Sequence, residues 1–288
     1  MNYIVSTIDK IDERFDFNQI HNYIKSIQIS LNGFSYIVTD PSEPAHLALR
    51  SYDFGTEISA KRLDGLIADL FQNEDVLSQS SQKTIVTYME RAYAMAPQML
   101  FLPDNAHKLI DVNFKKDEFA HVTHASVPAS DIVFASRMPE NIYKTLKLYS
   151  DNLQVVPHQC ALTVNAFQTL QHHGFSEGFF MNVNNQFFDL MYIKNQKIAF
   201  YNNFGYAQYA DVLYFTLAAL EKLSIDPNKI HFFIQGHELV KEVILQELNM
   251  HVRNVYLDRR ILGTAYSHQF EQLPLYQYKL LTGLYSCV

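Results

Sequence analysis

One order of elements occurs twice in this 288-residue chain. Residues 27–52 read as three short strands, and a helix, a strand, a helix and a strand follow them. Residues 178–258 repeat that series with unrelated residues. A three-strand meander leading into alternating helix and strand builds one mixed sheet covered by helices, and two copies build two such layers. The length suits two domains of ordinary size. The expected architecture is α/β, with two mixed-sheet domains, 1–150 and 151–288, flanking a cleft.

In the first copy, residues 1–24 are weakly patterned and read as a partly ordered lead-in. Ile27, Ile29 and Leu31 then alternate with polar residues, Asn32-Gly33 follows, and Phe34, Tyr36 and Val38 alternate again. Asn-Gly between two period-2 runs predicts a hairpin whose two turn residues take positive φ. That turn pairs Leu31 with Phe34, Ile29 with Tyr36 and Ile27 with Val38, with all six on one buried face. Asp40-Pro41 ends the second strand and residues 46–52 supply the third. Leu63, Leu66, Ile67, Leu70 and Phe71 lie at helical spacing, residues 83–89 are a β-branched strand, and Pro97 opens the next helix. A strand over 131–135 and a helix from Pro139 to Tyr149 complete the copy.

The second copy is prepared by a strand over 153–156 and a helix from Gln159 that ends near Gly174, a C′ glycine. Its meander runs over 179–183, 186–193 and 197–201, with turns at Asn184-Asn185 and Asn195-Gln196. A long helix carries Val212, Leu213, Leu217, Leu220 and Leu223, and Asp226-Pro227-Asn228 breaks it. Residues 230–234 are nearly all apolar, as in a strand covered on both faces, and Gly236 closes that strand. A helix with Leu239, Val243, Ile244 and Leu248 and a strand over 252–257 follow. Residues 262–288, rich in Tyr and Leu, read as a packed terminal segment.

These segments carry a resemblance. The doubled order looks like the actin-like ATPase (ribonuclease H-like) superfamily, which includes hexokinase-type sugar kinases, chaperone ATPase domains and bacterial cell-division and pilus-assembly proteins. Within it, the chain resembles an uncharacterised bacterial family known only as a domain of unknown function. Residues 27–35 (Ile-Gln-Ile-Ser-Leu-Asn-Gly-Phe-Ser), 97–101, the meander end at 199–202 and the aromatic tail before Cys287 carry the likeness, which spans nearly the whole chain.

The resemblance implies a nucleotide cleft. Backbone N–H groups of two hairpins, one per domain, hold phosphates, an acidic residue near each seats Mg²⁺ or orients water, and a glycine-rich turn takes the adenosine. Phosphoryl transfer rests on such positioning and charge neutralisation. The corresponding positions here are Ser30, Asn32 and Gly33 in the first hairpin, Asn182 and Asn184 in the second, and Gly236-His237 at the adenosine turn. Ser30 stands where an Asp is expected. Asn182 and Asn184 have the shape of Asp but no charge for a hard cation. Asp189, in the second strand of the later meander, is the acidic candidate for the cleft. No catalytic residue and no metal ligand set is assigned, and no cofactor is expected.

Other constellations point away from chemistry. His121 and His124 are three apart and His172-His173 adjoin a helix end, but zinc wants three or four closely supported N/S ligands. Cys160 at a helix start lacks an orienting partner and reads as a small, half-buried side chain. Lys61-Arg62 and Arg259-Arg260 read as solvated surface. Phe187-Phe188 and Phe232-Phe233 read as core plus cover. A net charge of −7 excludes a nonspecific nucleic-acid footprint. No uncharged apolar stretch reaches the length of a transmembrane helix. Two cysteines and an early run of charge suggest a reducing compartment and no secretory leader, hence a cytoplasmic protein.

The function expected from these residues is that of a non-catalytic actin-like interaction or assembly module with a protein partner. The alternative is a true ATP-binding or ATP-hydrolysing member that uses Mg·ATP with atypical ligands, which the fold alone favours. An enzyme acting on a small metabolite would need convergent ionisable groups, which the sequence does not present. A high content of Tyr and Phe leaves self-association open.

Overall fold

The computed structural model describes residues 4, 6–150, 152–237 and 243–287. In chain order the strands and α-helices are β1 (Ser6–Ile11), β2 (Ile24–Ser30), β3 (Gly33–Asp40), β4 (Ala45–Asp53), α1 (Ala60–Asn73), β5 (Lys83–Tyr88), β6 (Tyr93–Pro97), α2 (Ala106–Asp111), β7 (Ala120–Ser126), β8 (Ile132–Pro139), α3 (Glu140–Tyr149) and β9 (Leu153–Val155). There follow α4 (His158–His173), β10 (Glu177–Val183), β11 (Phe187–Lys194), β12 (Lys197–Gly205), α5 (Tyr209–Lys222), β13 (His231–Gly236), α6 (Leu245–Asn249), β14 (Asn254–Leu257), β15 (Ala265–Tyr266) and α7 (Leu275–Gly283). The chain divides into two compact units, one of residues 1–161, 263–270 and 281–288, the other of residues 162–262 and 271–280.

The first unit holds a mixed sheet in the order β1-β4-β3-β2-β5-β9, with β15 also pairing β4. Ile27, Ile29, Phe34, Tyr36 and Val38 pack on one face against Leu63, Leu66, Ile67, Leu70 and Phe71 of α1 and Ile142 and Leu146 of α3. The second unit's sheet runs β12-β11-β10-β13-β14. Phe179, Met181, Phe188, Leu190, Phe232 and Ile234 pack there against α5 and α6. The order β4-β3-β2-β5-β9 in one unit therefore matches β12-β11-β10-β13-β14 in the other, with one direction pattern: an antiparallel meander, then two parallel additions. The duplication read from the sequence is the architecture of the chain.

Several expectations are corrected. The first hairpin pairs Ser30 with Gly33, Ile29 with Phe34 and Ile27 with Tyr36, so its loop is Leu31-Asn32. Neither Asn32 nor Gly33 has positive φ. The carbonyls of Leu31 and Asn32 instead accept from the amides of Ile58 (2.8 Å) and Phe54 (3.0 Å), tertiary bonds that set the turn. The pairing differs from expectation by two residues, an even number, so the buried face is preserved. The positive-φ hairpin turn lies at Asn195 (φ 51°) and Gln196 (φ 59°).

Pro97 ends β6 and precedes only a three-residue 3-10 turn, not a helix. The lead-in holds β1, an edge strand on β4, and a 3-10 turn at Phe17–Asn22. A third sheet, β6-β8-β7, is present besides these; β6 is only five residues long and ends in Pro97, and β7 mixes histidine, threonine and serine with small residues, so neither reads as a strand. The third meander strand runs on to Gly205. Leu239 lies outside the described residues.

Other readings hold. Gly174 has φ +69° after α4, where the amides of Gly174 and Phe175 return to the carbonyls of Gln171 (3.2 Å) and Leu170 (3.0 Å), a Schellman closure. The terminal segment is packed, with Phe270, Leu275, Tyr276, Leu281 and Leu284 buried.

Candidate functional site

The first hairpin is closed by its own polar groups. Ser30 Oγ lies 2.8 Å from Asn32 Oδ1 and 3.1 Å from the Gly33 carbonyl, donating within the turn. Gly33 serves close approach: a Cβ there would stand 3.2 Å from the Tyr52 carbonyl oxygen of β4. All three residues are half-buried.

The second hairpin stands over a row of polar side chains that crosses the sheet. Asn203, Asp189, Asn182 and Gln235 are successive partners in register across β12, β11, β10 and β13. All four are buried, Asp189 completely. Asp189 Oδ2 accepts from Asn182 Nδ2 (3.0 Å), and Oδ1 accepts from Tyr201 Oη (2.7 Å) and Asn203 Nδ2 (2.8 Å). Gln235 Nε2 donates in turn to Asn182 Oδ1 at 3.3 Å. These neutral dipoles hold the buried carboxylate. The same row exists in the first unit as Ser51, Ser35, Gln28 and Thr87. It bears no charge there; Ser35 and Ser51 share a hydrogen bond of 2.8 Å, and Gln28 Oε1 and Thr87 Oγ1 are buried with no hydrogen-bond partner among the described residues.

The remaining candidates close the end of the second sheet. The Asn184 amide bonds to the Phe187 carbonyl at 2.9 Å, and the Asn184 carbonyl accepts the Tyr206 hydroxyl. Gly236 has φ +106°, and a Cβ on it would stand 2.2 Å from the Val183 carbonyl oxygen. Only glycine fits there. The His237 amide donates to that same oxygen at 2.8 Å. Asn182, Asn184, Asp189, Gly236 and His237 thus gather around the ends of β10 and β13.

Sequence reasoning missed Tyr201 and Asn203 as partners of Asp189 and Gln235 as a partner of Asn182. The signal was present for three of the four: Asn182, Asp189 and Gln235 each stand singly after an apolar run, as in Phe-Phe-Met-Asn-Val and Phe-Phe-Ile-Gln-Gly, whereas Asn203 follows Asn202.

No group of three His, Cys, Asp or Glu among the described residues could hold a metal ion. His121 and His124 lie on β7, where a spacing of three puts them on opposite faces. His121 stacks on Tyr143 with centroids 3.4 Å apart, and burial pushes its pKa down. His172 accepts from Arg260 at 2.8 Å, and His173 stacks on Phe175. Cys160 is wholly buried rather than half-buried, and burial raises its thiol well above the usual range. No helix of the described residues is long and apolar enough to cross a membrane.

Comparison with known proteins places this geometry. A protein from Bacteroides thetaiotaomicron VPI-5482, described as having an actin-like ATPase fold and unknown function, is similar over 90% of this chain and 98% of its own, with a TM-score of 0.76 and 20% identity. A PilM-PilN type IV pilus biogenesis complex contains a chain similar over 91% of this one and 97% of its own, with a TM-score of 0.67 and 11% identity. At such identities the likeness establishes the fold alone, which is that of actin-like ATPases. No curated protein matches the chain. A family model described as "Protein of unknown function (DUF3822)" matches residues 12–255.

Proposed function

The chain belongs to the DUF3822 family of proteins of unknown function, and from that footing we propose that it is a non-catalytic actin-like-fold protein acting as an interaction or assembly module. The observation that carries this reading is the condition of Asp189. Its carboxylate is buried and spent on Asn182, Tyr201 and Asn203, whereas a magnesium site needs carboxylate oxygens that face a ligand and water. Asn182 and Asn184 add no charge beside it in the second unit, and Ser30 adds none to the hairpin of the first. The Asn184 amide is committed to its own turn and does not offer itself to a phosphate.

A surface feature supports the interaction half. Residues 93–102, Tyr-Ala-Met-Ala-Pro-Gln-Met-Leu-Phe-Leu, carry no charge. Within them Met99 is 94% exposed, Leu100 73% and Leu102 61%. Contiguous exposed apolar side chains of this kind mark binding surfaces, and methionine adapts its shape to a partner. The similar PilM chain is itself described in a complex with PilN.

Titration calorimetry with Mg·ATP tests the proposal. No heat of binding is expected at millimolar nucleotide. Micromolar binding together with turnover that Asp189→Asn abolishes would refute it. For the interaction surface, Met99→Asp and Leu100→Asp should leave thermal stability unchanged and remove whatever partner co-purifies from native extract.

A further inference from the structure

The two copies of the sheet differ at one edge. In the first unit β4 is covered on its outer side by β1, which pairs it antiparallel from Ser6 to Ile11, and by β15. Its counterpart in the second unit, β12, ends the sheet, and no strand of the described chain pairs its outer side. β12 is nine residues long, and its one charged residue is Lys197 at the start. Long edges with so little charge or proline invite another strand.

The hydrogen-bond phase of β12 identifies its outward groups. The Tyr206 amide bonds to the Gln186 carbonyl across the β11–β12 ladder. In an antiparallel ladder such pairs alternate, so Phe204 and Asn202 also bond inward, while the amides and carbonyls of Tyr201, Asn203 and Gly205 point outward. The Asn203 amide confirms this phase, because it takes the side-chain oxygen of its neighbour Asn202 at 2.9 Å. A side chain stands there where a strand would.

We infer that this edge is a self-association site, which pairs β12 antiparallel with β12 of a second copy about a two-fold axis near Asn203. Charge selects the second copy as occupant. Lys197 sits at the start of the strand, and the half-buried Asp211 lies just past its end, bonding the amides of Ala207 and Gln208 at the head of α5. Two-fold antiparallel pairing brings each start against the other's end, so lysine meets aspartate. The two Lys197 side chains then stand roughly 40 Å apart, at about 3.4 Å per residue, well beyond the screening length in physiological salt. Once the Asn202 side chains release the Asn203 amides, Tyr201, Asn203 and Gly205 would exchange about six backbone hydrogen bonds with their mates, joining two five-stranded sheets into one. Isologous contacts of this type close on themselves. The inference stands apart from the nucleotide question, since a dimer forms or fails regardless of what the hairpins hold.

Light scattering on the full chain after size exclusion, from about 1 to 200 μM, tests it. A reversible shift from monomer to dimer mass is expected. Gly205→Pro removes an outward donor while keeping the inward amides of Phe204 and Tyr206, and Lys197→Glu sets like charges together; each should raise the dissociation constant at least tenfold. Thermal melting at low concentration checks that the variants fold, and Lys197→Glu alone decides if the proline variant does not. Amide exchange at Gly205 should slow as concentration rises. A monomer at every concentration, or a dimer that neither variant weakens, overturns the proposal.

Discussion

The Tyr201 hydroxyl donates to Asp189 Oδ1 at 2.7 Å from the neighbouring strand of the same sheet. Asp189 is wholly buried, and the side-chain amides of Asn182 and Asn203 donate to it as well. Deleting the acceptor orphans several donors at once, and each buried unsatisfied group costs about 1–3 kcal/mol. Asp189→Ala should therefore lose about 3 kcal/mol or more in urea unfolding, and Tyr201→Phe about 1 kcal/mol. Asp189→Asn should fall between them, because its amide turns one donor toward another. Equal stability of Asp189→Ala and wild type would show that the row contributes nothing.

Gly236 meets both conditions that exclude a side chain, a φ of +106° and a Cβ position 2.2 Å from a backbone oxygen. The obstacle is the β10 backbone, which cannot rotate away. Gly236→Ala should cost about 3 kcal/mol or more, read as a lower melting temperature or loss of soluble protein. Gly65→Ala is the control: nothing lies within 4 Å of its Cβ position and it is on α1, so it should be neutral to stabilising.

His46 is wholly buried on β4, its Nδ1 2.8 Å from Thr39 Oγ1. Burial pushes its pKa down from 6.5 to about 3. Between those values the unfolded chain binds a proton that the folded chain refuses. The stability that His46 contributes is whole above about pH 6.5 and is lost as the pH falls toward 3, with a slope approaching ~1.4 kcal/mol per unit. His46→Asn keeps a polar atom near Thr39 and removes the titration. The difference between wild type and variant in unfolding free energy should depend on pH below 6.5 and be constant above it. A difference independent of pH between 4 and 7 would refute this account.

Lys279 on α7 and Asp258 after β14 form a buried ion pair at 3.0 Å, and Thr169 donates to the other Asp258 oxygen at 3.1 Å. The Lys279 ammonium also donates to the Arg260 carbonyl. Removing one charge strands the other, so Lys279→Met should cost about 3–5 kcal/mol. The double variant Lys279→Met with Asp258→Leu should recover most of that loss, since a buried pair contributes little against well-packed apolar groups. Additive losses in a double-mutant cycle would mean that the two residues do not act as a pair.

Much of the fold was legible in order and periodicity. The five buried residues of α1 were readable from their spacing, and Gly174 and Pro139 mark helix boundaries through local chemistry that tertiary contacts did not override. The Asn195-Gln196 turn likewise follows local preference. Asn32-Gly33 does not, because the amides of Phe54 and Ile58, more than twenty residues away, claim the turn carbonyls. Of the candidate site, isolated polar residues in apolar strands could be seen, but their pairing could not. Whether Asp189 meets a ligand or three neutral side chains depends on sheet register, a long-range quantity.

The sequence by itself determined the doubled α/β plan, the faces of its strands and helices, and the neutrality of the positions where the resemblance expects acid. Those properties are periodic or compositional, and each residue carries its own share of the signal. Only the tertiary structure decided that Asp189 is held by Asn182, Tyr201 and Asn203, that Gly236 abuts Val183, and that β12 keeps an open edge where β4 is covered. These relations depend on which strands become neighbours and in what register, and residues far apart in the chain share that information.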